Sequence, residues 1–159
     1  MPGVARVQQR PQALSGTYIL LLRLARGQSF EIGRLGERAL PRGWYLYVGS
    51  AFGPGGVAAR CNHHRRISPS PRWHIDYLRA VAPLRAIWFS HAASPLEHSW
   101  AQLLAGDLRL RTPIIGFGAS DCGCPSHLFH LPVMPDLRHF SRLLVSQSQH
   151  DYPVHCEKV

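Results

Sequence analysis

Tyr18, Tyr47, Arg60, His64 and Glu97 are the side chains whose types and spacing could together act on a phosphate. Tyr18 follows Gly16 by two residues, and Tyr47 precedes Gly49 by two. Glycine lets a backbone bend sharply or come close to a ligand, and a phenol beside a phosphate can orient or deprotonate a water. Arg60 and His64 are four residues apart, one turn along a helix face. There a guanidinium would neutralise charge on a pentacovalent phosphorus, and an imidazole would move protons near neutral pH. Arg65, Arg66 and His63 extend the positive surface. Glu97 is the only carboxylate between Leu84 and Ala105. One carboxylate, with waters and a phosphate oxygen, suffices for Mg²⁺. Each residue also has a plain structural reading. Tyrosines are ordinary strand residues, the Arg60–Arg66 stretch is an ordinary basic helix face, and Glu97 fits the third position of a capping box opened by Ser94.

The elements that must hold these residues follow from the apolar pattern. Gly16 to Leu24 is continuously apolar up to Arg23 and reads as a buried strand, with Phe30 to Ile32 as its hairpin partner across Gly27. Trp44 to Gly49 is an aromatic-rich strand stopped by glycine. Gly53 to Gly56 is a turn, Val57 to Arg66 a helix, and Ser68-Pro69-Ser70-Pro71 ends it. Trp73 to Val81 reads as a second helix and Leu84 to Phe89 as a strand. A helix running through Leu104 opens at Ser94, with Pro95 at its first position. A loop of small residues and cysteines spans Gly116 to Ser126. A short strand follows from His127 to Leu131, then a helix from Pro135 to Val145 and a loose end. This predicts a small mixed α/β (α+β) domain, with a central mainly antiparallel sheet flanked by helices. Residues 1–14 read as a flexible lead, 15–133 as the domain, and 134–159 as a helix with a loose tail.

Composition narrows the partners. The 159 residues carry 18 Lys+Arg against 9 Asp+Glu, a net +9 that favours polyanions over acidic proteins. Lys158 is the only lysine, and arginine grips phosphate bidentately. With 45% hydrophobic and 17% charged residues, the chain can bury a core and is not a solvated tail. No apolar run approaches the roughly 20 residues that span a bilayer, and the first residues hold no apolar leader core. The cysteines are Cys61, Cys122, Cys124 and Cys156, and the Cys122–Cys124 spacing is too tight for an ordinary disulfide. A reducing cytoplasm is the expected compartment.

Read in order, these residues resemble the GIY-YIG nuclease superfamily. Gly16-Thr17-Tyr18 stands where that family has Gly-Ile-Tyr, and Tyr47-Val48-Gly49 where it has Tyr-Ile-Gly. Arg60, His64 and Glu97 fall at its arginine, its frequent histidine and its metal-binding glutamate. Tyr47 to Ala51, Gly55-Gly56, Trp73 to Leu78, and Gly116 to Cys124 with Ser126-His127-Leu128 resemble one branch of it more closely. Members of that branch occur alone or fused to an endonuclease III-type DNA glycosylase. The resemblance implies metal-dependent hydrolysis of phosphodiester bonds in DNA, in repair or processing, with RNA as the other polymer. Its catalytic residues would be Tyr18, Tyr47, Arg60 and His64, with one Mg²⁺ or Mn²⁺ on Glu97. Substrate contacts would come from Gly49, Ser50, Arg65, Arg66, His74 and Asp121. No separate DNA-reading domain is visible, so a protein partner could supply specificity. Three departures stand out: Thr17 for isoleucine, His98 where the branch has cysteine, and no counterpart for a late asparagine, Asp121 being the nearest.

Two other clusters carry rival readings. His74 and Asp76 could serve the cleft or make tertiary hydrogen bonds, the latter being preferred. Cys122, Cys124 and His127 suggest zinc, but Cys-x-Cys with His-x-x-His is not a usual finger spacing, and His127 and His130 should face opposite sides of a strand. Buried cysteines packing a tight loop are the preferred reading there. The whole-chain alternatives to a nuclease are an inactive nucleic-acid-binding module on the same fold and a small zinc-binding protein.

Overall fold

A computed structural model describes residues 9–120, 122–147 and 152–159. The chain runs β1 (Gly16–Leu24), β2 (Gln28–Glu31), a 3-10 turn (Gly33–Leu35), β3 (Glu37–Leu40), β4 (Gly43–Ala51), α1 (Gly56–Arg65) and α2 (His74–Arg79). It continues through β5 (Leu84–Ser90), α3 (Glu97–Ala105), β6 (Leu128–Leu131), α4 (Leu137–Ser146) and β7 (His155–Lys158). Five strands form one sheet in the order β6-β4-β1-β5-β7, and every neighbouring pair is antiparallel. The mixed α/β class and the central antiparallel sheet are as the sequence predicts. No helix among the described residues is long and apolar enough to cross a membrane.

β1 is central because both its faces are apolar. Tyr18, Leu20, Leu22 and Leu24 pack with Val57 and Cys61 of α1 and Ile75 and Leu78 of α2. Ile19 and Leu21 pack on the opposite side with Trp100, Ala101 and Leu104 of α3 and Phe140 and Leu144 of α4. Helices therefore cover both faces of the sheet.

Three local expectations are corrected. The segment at Phe30 does not pair with β1, whose two edges are taken by β4 and β5; β2 pairs instead with β3 in a separate ribbon. The predicted capping box at Ser94 does not form. α3 begins at Glu97, after Leu96 and with no side-chain cap, because the Leu96 N–H goes to the Thr17 hydroxyl of β1 at 3.2 Å. Nor is the end of the chain loose throughout. β7 adds to the β5 edge, with Trp88 opposite Cys156, and the Tyr152 hydroxyl accepts the Trp100 indole N–H at 2.9 Å. At the other end, the Gln12 and Leu14 carbonyls accept the N–H groups of Ala58 and Val57 at the start of α1.

Candidate active-site cleft

One cleft of about 280 Å³ is lined by Tyr18, Tyr47, Gly49, Ser50, Arg60, His64, Arg72, Trp73, His74, Glu97, Gly118 and Ser120. Four elements aim at it. β1 and β4 run antiparallel with Tyr18 opposite Gly49. α1 lays Arg60 and His64 across their ends, and α3 brings Glu97 from its first turn. α3 is anchored to β1 by the Thr17–Leu96 hydrogen bond, so Thr17 bears directly on where Glu97 stands.

The two glycines facing the tyrosines are there for space. A Cβ on Gly49 would lie 2.3 Å from Tyr18 Cζ, so the phenol can cross the strand only over a glycine. Gly118 has φ +67, and a Cβ there would meet Tyr47 Cε2 at 2.9 Å. It needs both the left-handed conformation and the room.

Tyr18 and His64 form the buried floor. The phenol oxygen lies 2.8 Å from His64 Nε2, and the residues are 3% and 1% exposed. His64 Nδ1 has no hydrogen-bond partner among the described residues. Burial, reinforced by the neighbouring His63, pushes the His64 pKa down to about 3, so the imidazole is neutral near pH 7. Burial, with Tyr47 and Cys61 beside it, raises the Tyr18 phenol well above its ordinary value. Burial raises Tyr47 too, with the Glu97 charge adding to it. Both phenols are protonated near neutral pH.

Arg60 lies 4.6 Å from the centre of the Trp73 ring, a cation–π contact that stiffens a long side chain. His74 Nδ1 accepts the Gly118 N–H at 2.9 Å and thereby ties α2 to the 116–126 loop. The tertiary hydrogen bond preferred from the sequence is therefore present, and His74 also lines the cleft. Asp76 caps α2: its carboxylate accepts the N–H groups of Arg72 and Trp73 and contacts His63 Nε2 at 2.9 Å. Burial pushes that carboxyl upward, but the two backbone donors and His63 outweigh it and leave the pKa below its ordinary value.

Glu97, released from a capping role, lines the cleft while its Oε1 lies 2.8 Å from His127 Nδ1. That contact is close but does not meet hydrogen-bond geometry. His127 is buried, and its Nε2 lies 3.4 Å from Cys122 Sγ. His130, on β6, instead pairs with the Arg42 carbonyl at 2.9 Å.

Two predicted contacts fall elsewhere. Arg65 is not among the cleft residues, because its guanidinium is held by Glu157 and by Asn62 Oδ1. Arg66 is exposed beyond the end of α1, on a different surface from the cleft. Asp121 lies outside the described residues. Arg72, Trp73, Gly118 and Ser120 are cleft residues that the sequence did not single out as site members. Trp73, Gly118 and Ser120 lay within the branch motifs, which was the available signal, whereas nothing local marked Arg72.

A family model described as domain of unknown function DUF123 matches residues 17–149, and the chain belongs to that family. Neither the curated proteins nor the solved structures contain a match to the chain.

Proposed function

We propose that this DUF123 protein is a metal-dependent endonuclease of the GIY-YIG type, hydrolysing phosphodiester bonds in DNA during repair or processing. The observation that carries the reading is the meeting of Tyr18, Tyr47, Arg60, His64 and Glu97, from four elements, in one cleft. Glu97 is the one carboxylate among the described lining residues, and with Oε1 beside His127 Nδ1 its second oxygen would serve the ion. That donor set fits a hard ion that keeps most of its waters. Glu97 would hold Mg²⁺ or Mn²⁺, which when bound supplies Lewis-acid polarisation of a phosphate oxygen.

The remaining work belongs to the chain's own groups. The Tyr18 oxygen accepts a hydrogen bond from the attacking water. Its own proton points to His64 Nε2 in the tautomer that protonates Nδ1, so the neutral imidazole holds the phenol with an oxygen lone pair left for that water. Arg60, braced on Trp73, neutralises charge building on the phosphate oxygens. Tyr47 keeps its proton and donates it in a hydrogen bond to a phosphate oxygen. Arg72 and the excess of arginine over acidic residues favour a polyanionic strand across the cleft mouth.

The deciding experiment is a cleavage panel of plasmid, branched and damaged DNAs and RNA with Mg²⁺ or Mn²⁺. Wild type should cleave, and Arg60→Ala or Glu97→Gln should each lose roughly 100-fold or more. Cleavage by both variants at the wild-type rate overturns the site. Salt-sensitive binding without cleavage under either ion overturns turnover and leaves an inactive nucleic-acid-binding module.

A further inference from the structure

We propose that His98, Cys122, Cys124 and His127 form a closed structural zinc site behind the cleft. Their ligand atoms all lie within 4.8 Å of one another. His98 Nδ1 lies 3.2 Å from Cys124 Sγ, and Cys122 Sγ lies 3.4 Å from His127 Nε2. With zinc–sulfur bonds near 2.3 Å and zinc–nitrogen bonds near 2.0–2.1 Å, the ligands of a tetrahedral site stand about 3.3–3.8 Å apart. Two of the ligand pairs are thus already close to the spacing that zinc imposes, and the others lie within 4.8 Å. Both cysteines are free thiols, and two thiolates cancel the charge of Zn²⁺. Thiolate and imidazole donors select zinc over the hard ions suited to Glu97. Four protein ligands leave no open position, so the role is structural.

In sequence, Cys-x-Cys with His-x-x-His is not a usual finger spacing, and His127 and His130 should face opposite sides of a strand. His130 turns to the Arg42 carbonyl, and the fourth donor is His98, from the first turn of α3. The site therefore clasps three segments: the start of α3, the 116–126 loop and the residue that leads into β6.

The ion would also organise the cleft. With Nε2 on zinc, His127 must carry its proton on Nδ1, the atom 2.8 Å from Glu97 Oε1. A zinc-bound histidine usually donates its far N–H to a carboxylate, so with the ion in place this close contact would become a hydrogen bond. The zinc site does not depend on the cleft being catalytic; its role in fixing a catalytic carboxylate rests on the cleavage reading.

The test is metal analysis of purified, tag-free full-length protein under reducing conditions, followed by Co²⁺ exchange. The expected result is about one zinc per chain, and intense visible bands of tetrahedral thiolate-bound cobalt after exchange. Cys122→Ser, Cys124→Ser and His98→Ala should each lower bound zinc severalfold or more, while Cys156→Ser keeps it. Glu97→Gln should retain one zinc but release it to a chelator about 10–100-fold more readily. Protein without zinc whose reduced form gives no thiolate–cobalt bands would overturn the proposal, with no variant needed. So would undiminished zinc in Cys122→Ser and Cys124→Ser. Neither readout uses cleavage, so failure here is distinct from failure of the nuclease reading.

Discussion

The Tyr18 phenol oxygen lies 2.8 Å from His64 Nε2, and both side chains are shut away from solvent. A tyrosine on the central strand and a histidine on the helix across it thus act as one unit, open to the cleft on the side that Arg60 and Glu97 face. Tyr18→Phe and His64→Gln should each reduce cleavage by about 10²–10⁴-fold. The double variant should lose little more than the worse single one, because either change breaks the same Tyr18–His64 hydrogen bond. Measuring kcat for all three decides it: multiplicative losses would mean the residues act separately.

The depressed His64 pKa also fixes a pH dependence of stability. The folded protein keeps this imidazole neutral down to about pH 3, whereas the unfolded chain protonates it near 6.5. Between those values the unfolded state binds the extra proton, so stability falls as pH drops, by up to about 1.4 kcal/mol per pH unit from this residue. Above pH 6.5 His64 contributes no slope. His74 and His155, also pushed down by burial, act in the same direction, and the lowered Asp76 and Asp107 add their loss further into the acid range. Denaturant titrations from pH 7 to 4 should show a shallower fall for His64→Gln than for wild type.

How far the sequence could reach is visible in particular elements. β1 was legible because nearly every side chain from Gly16 to Leu24 is apolar, which is the mark of a strand buried on both faces. The β2–β3 ribbon was not, because Phe30 gives no sign that both edges of β1 are already occupied. The register of Arg60 and His64 followed from helical spacing alone. Glu97 was ambiguous because a capping box and a cleft ligand read identically in sequence. A hydrogen bond from Leu96 to Thr17, 79 residues away, separates them. Trp73 as the brace of Arg60 and His98 as a partner of Cys124 are likewise tertiary facts, and no local pattern announces either.

Gly49 should tolerate no side chain. Alanine would bring its Cβ to 2.3 Å from Tyr18 Cζ and 2.4 Å from the phenol oxygen, so the ring must leave its place over β4. Overpacking of this kind costs about 1–3 kcal/mol. The displaced phenol should also lose contact with His64 and lower cleavage well beyond what the stability loss explains. Thermal unfolding alongside kcat tests this: an unchanged melting temperature and unchanged turnover would show that the ring moves freely.

Thr17 ties stability to the position of Glu97. Its hydroxyl, fully buried on β1, accepts the Leu96 N–H immediately before α3 begins. Thr17→Val keeps the shape and removes the acceptor, leaving a half-buried N–H without its partner, at a cost of about 1–3 kcal/mol. Thr17→Ser keeps the oxygen and should retain most of that stability. Because Glu97 is the next residue after Leu96, the valine variant should also need more Mg²⁺ for half-maximal cleavage, while its affinity for nucleic acid without the ion stays near wild type. A metal titration comparing the two variants distinguishes a loosened carboxylate from a merely less stable fold. Equal metal requirement in both would confine Thr17 to stability.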